Sequence, residues 1–180
     1  MADGDAPLQR YTRVARALHW SMAALILANL PLGLFSDAIG ERLGLDLVWL
    51  HKSIGLTVLA LALIRIGWRA ANPPPPLPPS VARWEAKVAG GVHIALYALM
   101  LALPLTGYIM VSAGKYPLTW FQLFAVPKLP VEREDAIVGF ARNGHTLLGW
   151  LMLVAATGHI AAALRHHLVL RDGVLRRMLA

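Results

Sequence analysis

One apolar stretch near the C-terminal end, NGHTLLGWLMLVAATGHIAAALRHH over residues 143–167, constrains the fold more than any other part of the chain. It is long enough to cross a bilayer as a single helix. His145 and His159 lie inside it, fourteen residues apart. At 100° and 1.5 Å per residue, the second ring returns to within about 40° of the first and sits roughly 21 Å further along the axis. Two imidazoles on one helix face, one towards each side of a membrane, suit two stacked metal centres better than one. Each still needs a second ligand from elsewhere in the chain.

The remaining composition agrees with a membrane setting. At 180 residues the chain fits one domain, and 57% hydrophobic against 15% charged residues is too apolar for an ordinary soluble one. There is no cysteine, which excludes disulfides, thiolate-held iron–sulfur clusters and the attachment of a c-type haem. Seven histidines are left as the obvious metal ligands. The net charge of +7 comes from basic residues at the edges of apolar runs, a membrane-flanking pattern that speaks against nucleic acid. The first apolar run is too long for the core of a cleavable leader, so none is expected.

Four spans are expected, over residues 17–35, 47–68, 88–112 and 143–166, in a single membrane domain covering 1–180. The first ten residues are polar and read as disordered. Pro31 and Gly33 fall near the far end of the first span, where a break costs little. The Pro-rich segment 72–80 reads as a stiff spacer. Pro104 should kink the third span, which membrane helices tolerate. Within the long connection 113–142, LTWFQLFAVP is too short to span and suits a piece lying in the membrane interface. The N-terminal arm, the Pro-rich spacer and the C-terminal tail are basic, whereas the connection 36–46 is acidic and 113–142 is mixed. Positive charge favours the cytoplasmic side, so both termini are expected there.

Orientation assigns depth to the histidines. His19, His93 and His159 fall near the inner face, His51 and His145 near the outer face. The outer pair is then His51 with His145, while His159 could meet either His19 or His93. A histidine pair facing across a helical bundle is a ligand set for a b haem with both axial positions closed, which carries electrons and leaves no site for oxygen. Zinc would want four ligands at one depth. Any one of these histidines alone would read as an interfacial polar residue. Four at paired depths, two of them on one helix face, favour ligation. Gly55, Gly149, Gly144 and Gly158, each next to or one turn from a histidine, fit a flat macrocycle between helices. Arg65 and Arg69 could pair propionates or simply flank the span. His166 and His167 fall at the inner water boundary. No aspartate or glutamate lies within the four spans, which disfavours proton pumping and cation transport.

The segments RYTRVARALHW, LHKSIGLTVLALALIRIGWR, HIALYALMLALPLTGYIMVS, GHTLLGW and GHIAAALRHH together resemble the prokaryotic cytochrome b561 family over nearly the whole chain. The resemblance implies an all-α membrane protein, a four-transmembrane-helix bundle in the bacterial inner membrane with two b haems inside it. It implies His19 and His159 as axial ligands of the inner haem iron and His51 and His145 as those of the outer one. His93, Arg165 and His166 become candidates for a quinone site or for supporting roles. It further implies oxidoreductase activity between superoxide outside and ubiquinone inside, with a homodimer compatible with such a fold. Lys52, Lys115, Lys128, Arg133 and Arg142, on the expected outer side, could steer the superoxide anion, and Lys52 and Lys115 are the two singled out. The alternative is an electron-transfer subunit serving a periplasmic dehydrogenase, a hydrogenase or a c-type cytochrome.

Overall fold

A computed structural model describes residues 9–43 and 46–179 of the chain. Four long helices form its body: α1 (Arg13–Leu34), α3 (Val48–Ala71), α4 (Arg83–Ser112) and α5 (Ala136–Arg165), with a short α2 (Ser36–Leu43) after α1. The expectation for the first ten residues falls mostly on 1–8, outside the described residues.

Local chemistry sets the helix ends. The Thr12 hydroxyl accepts the Ala15 N–H at 3.2 Å and opens α1, and the Asp46 carboxylate accepts the Val48 N–H at 3.0 Å and opens α3. Glu85, in the first turn of α4, accepts the Ala82 N–H at 3.3 Å. Asp135 stands at the start of α5 and its carboxylate accepts the Glu132 N–H at 2.8 Å. The α5 helix ends in a π-helical turn, His166–Leu170, closed by Arg171 in the left-handed conformation at φ 52°. A four-residue α6 (Arg176–Leu179) completes the chain.

The helices overrun the apolar stretches that predicted them. The α5 helix starts at Ala136, so the end of the expected 113–142 connection is already helical. Its thirty residues reach about 45 Å, more than a hydrocarbon core needs. The α1 helix runs through Pro31 to Leu34, and α4 runs through Pro104 to Ser112. The interfacial piece is a β-hairpin, β1 (Leu118–Trp120) against β2 (Phe124–Val126), in register Leu118 to Val126, Thr119 to Ala125 and Trp120 to Phe124. Its turn places Phe121 and Gln122 at φ 45° and 60° without a glycine.

In the bundle α1 packs on α3, α3 on α4, and α4 on α5, which closes back on α1. Met22, Ile54, Val58, Ala62, Leu99, Met100 and Met152 make the core, and Met152 lies between His145 and His159 along α5. Around that core and the partly buried side chains packed on it, many large apolar residues face outwards, Ile94 and Val154 among them at 72% and 69% exposed. All four long helices are long and apolar enough to cross a membrane, while little of each is buried within the protein. Such a surface is stable against lipid tails and not against water. The chain is a multi-pass membrane protein.

The two ends of the bundle differ. At one end the chain termini meet: the Tyr11 N–H donates to the Arg177 carbonyl at 3.3 Å, Arg177 Nε to the Gln9 carbonyl at 2.7 Å, and the Trp20 indole to the Met178 carbonyl at 2.9 Å. The hairpin covers the opposite end. Buried Ser53 on α3 receives the Phe121 N–H at 2.9 Å, and the Trp120 indole donates to the Thr57 hydroxyl at 3.0 Å.

Candidate functional site

The histidines form two tiers. At the hairpin end, His51 on α3 faces His145 on α5 with ring centres 6.1 Å apart. At the terminal end, His19 on α1 faces His159 on α5 at 6.2 Å. His93 on α4 joins the second tier, 5.2 Å from His159. The fourteen-residue spacing on α5 is what feeds both tiers from one helix face.

These separations can be tested against a metal. A metal–imidazole bond of about 2 Å, with the ring centre about 1.1 Å beyond the nitrogen, puts two trans rings roughly 6.2 Å apart. Both facing pairs match a single ion between them. Among the described residues no three His, Asp or Glu side chains converge as a metal-binding group. A closed zinc site therefore lacks its ligands, and a metal whose other bonds come from a macrocycle does not. Between His51 and His145 lies a cavity of roughly 870 Å³ including its open mouth, walled in part by Gly33, Gly55 and Gly149. Of the four glycines singled out from sequence, Gly55 and Gly149 line this cavity, while Gly144 and Gly158 face open space.

The hairpin-end rings are held from behind by backbone. His51 Nδ1–H donates to the Asn29 carbonyl of α1 at 3.3 Å, and the His51 ring lies against Gly33, one turn further along the same helix. His145 Nδ1–H donates to the Leu103 carbonyl of α4 at 3.0 Å and lies equally close to the Thr106 hydroxyl, with the ring against Gly107. In both cases a carbonyl and the glycine four residues on seat the ring, beside Pro31 in α1 and Pro104 in α4. Donation from Nδ1 leaves Nε2 unprotonated and free to ligate.

The terminal-end tier is built differently. Arg65 on α3 donates from Nε to the Tyr97 hydroxyl and from Nη1 to the Ala15 carbonyl, each at 3.0 Å. These bonds hold its Nη2 3.4 Å from His19 Nδ1. Arg69, four residues on, is exposed. Arg165 pairs with Glu85 at 2.8 Å, and His166 pairs with Asp172.

The candidate steering cations lie towards the hairpin end. Lys52 is half-buried beside His51 in the chain, and Lys115, Arg133 and Arg142 are exposed. Lys128 is committed to backbone, donating to the Gly114 carbonyl.

The family model described as prokaryotic cytochrome b561 matches residues 10–180. The chain belongs to the prokaryotic cytochrome b561 family. Cytochrome b561 homolog 2 of Escherichia coli (strain K12) is 33% identical over 177 residues, covering 95% of this chain and 92% of that protein. Cytochrome b562 of Cereibacter sphaeroides is 30% identical, covering 94% of each chain. A protein described as probable superoxide oxidase CybB, from Yersinia pestis, is 25% identical, covering 95% of this chain and 96% of its own. Membership in the cytochrome b561 family makes the chain a membrane b-type cytochrome, with b-type haem as its cofactor and electron transfer as its role.

Several residues around these tiers escaped the sequence reading. Gly33 and Pro31 read there as a helix end, and Asn29, Thr106, Gly107 and Tyr97 carried no signal of their own. The spacing of a glycine two or three residues after an in-helix proline, Pro31–Gly33 and Pro104–Gly107, is the one pattern that could have marked them.

Proposed function

We propose that this cytochrome holds two b haems, one between His51 and His145 and one between His19 and His159. It would move electrons across the bacterial inner membrane from superoxide on the outer side to ubiquinone near the inner pair. The observation that carries the reading is the pair of histidine tiers, at 6.1 and 6.2 Å, reached from one face of α5. Haem held by these histidines would supply reversible one-electron exchange.

The chain's own residues account for the rest. His51 and His145 present Nε2 because their Nδ1 protons are held by Asn29 and Leu103. The terminal end, with its basic arm and tail, faces the cytoplasm by the distribution of positive charge. The hairpin end then faces outwards, where Lys52 and Lys115 draw in a small anion. Two superoxide ions would each give up one electron and leave as dioxygen. The two electrons, with two protons, convert one quinone to quinol. His93, Arg165 and His166 stand at the end where that quinone would bind, and Arg65 and Arg69 at the depth of the inner propionates. The superoxide assignment draws on the description of the Yersinia pestis relative.

A pyridine-haemochrome assay and a reduced-minus-oxidised spectrum on purified protein test the reading. Two b haems per chain are expected, falling to one in His51→Ala. One haem in both proteins would break the outer pairing.

A further inference from the structure

The two tiers have the same ring spacing and opposite electrostatic surroundings. At the hairpin end both rings donate Nδ1–H to uncharged oxygen, His51 to Asn29 at 3.3 Å and His145 to Leu103 and Thr106, both at 3.0 Å. Such donation makes the imidazole a stronger electron donor through its other nitrogen and favours the oxidised state of a metal bound there. At the terminal end the neighbour of His19 is the Arg65 guanidinium, 3.4 Å away. It cannot swing aside freely, because Nε and Nη1 are anchored on Tyr97 and Ala15 and the group also lies 6.0 Å from the Tyr97 ring centre. A guanidinium keeps its charge at any physiological pH. Reduction removes one positive charge from the centre, so a fixed cation alongside favours the reduced state. Lys52 is the cation next to His51 in the chain, but it is a compact, strongly hydrated charge on a flexible stem, and among the described residues no bond clamps it as Arg65 is clamped.

We infer that Arg65 on one side, and the carbonyl seats of His51 and His145 on the other, give the His19–His159 centre the higher reduction potential. The bundle thus carries its own downhill step, from the hairpin end to the terminal end. Arg65 is a positioning and tuning residue: it acts on His19 and touches no substrate. The inference rests on the two-haem reading above and adds the direction of the step and the residues that set it.

Potentiometric titration of the purified holoprotein, followed in the b-haem absorption bands, tests it. Two one-electron couples are expected in the wild type, and the higher should be the one that survives in His51→Ala. Arg65→Gln should lower the higher couple and leave the lower one in place, and Arg65→Lys, which keeps the charge, should recover most of the difference. Thr106→Val removes one acceptor from His145 and should raise the lower couple alone, an arm that holds even if Arg65→Gln proves unstable. Survival of the lower couple in His51→Ala would overturn the inference, as would an Arg65→Gln protein with both couples unmoved. Either result presupposes a wild type with two haems, whereas a wild-type protein with fewer than two would remove the reading beneath it as well.

Discussion

Glycine 33 illustrates how much a single position decides. A Cβ built there would lie 2.6 Å from His51 Cε1, closer than real side chains approach, and one at Gly107 would lie 3.0 Å from His145 Cε1. Gly33→Ala should therefore push the His51 ring off the Asn29 carbonyl and cost about 1–3 kcal/mol of packing. We expect the purified protein to keep one haem and lose the other. Gly107→Ala should give the same loss in weaker form. Gly139 has nothing within 4 Å of its would-be Cβ, so Gly139→Ala should keep full haem content and gain about 0.5–1 kcal/mol in thermal stability. Haem per chain, read across the three variants, checks the seat directly. At the same scale, Lys52→Gln with Lys115→Gln should slow haem reduction by superoxide several-fold at low salt and flatten its dependence on ionic strength. An unchanged rate with unchanged salt dependence would remove both lysines from the proposed steering role.

At the scale of elements, the hairpin depends on a hydroxyl in a helix. Ser53 donates to the Trp49 carbonyl at 2.9 Å and receives the Phe121 N–H at 2.9 Å, and it is fully buried. Phe121 and Gln122 hold left-handed backbone that glycine would adopt without strain, so the turn persists only because its docking over-determines it. Ser53→Ala leaves the Phe121 N–H without its partner, a loss of about 1–3 kcal/mol. Amide exchange in residues 118–126 should accelerate by roughly tenfold or more, each factor of ten being about 1.4 kcal/mol, while the helix cores stay protected. Exchange rates unchanged in the hairpin would mean that Trp120 on Thr57 holds it alone. The helices themselves were legible from apolar length, and so was the sharing of α5 between two histidine tiers, since both follow from helical repeat. The hairpin was not. Residues 118–126 read only as an aromatic, interfacial piece, because their strand pairing is set by a contact with Ser53, more than sixty positions away in the chain.

For the whole molecule, burial is inverted relative to a soluble bundle: a thin core and an apolar exterior. The termini share one end, tied by Tyr11, Trp20 and Arg177, and the hairpin occupies the other. The chain has no cysteine, so single reporters are clean. A membrane-impermeant maleimide should label Gln122→Cys on intact spheroplasts and Arg176→Cys only after the membrane is opened. The reverse pattern would invert the proposed orientation, and with it the side from which superoxide is taken.

Sequence alone pointed to four helices long and apolar enough to cross a membrane, offered histidine as the metal ligand, and set His51 at the depth of His145. Those conclusions need only apolar run length, helical periodicity and the placement of charge, all of which are local or additive along the chain. It left His159 between two partners on spacing alone. The tertiary structure sets His19 and His93 both beside His159, with only His19 at a spacing that leaves room for an ion between the rings. It also decided which carbonyls and which guanidinium stand behind the rings. Those neighbours come from other helices, and the angle at which one helix faces the next depends on how all four pack together, a property no single segment carries.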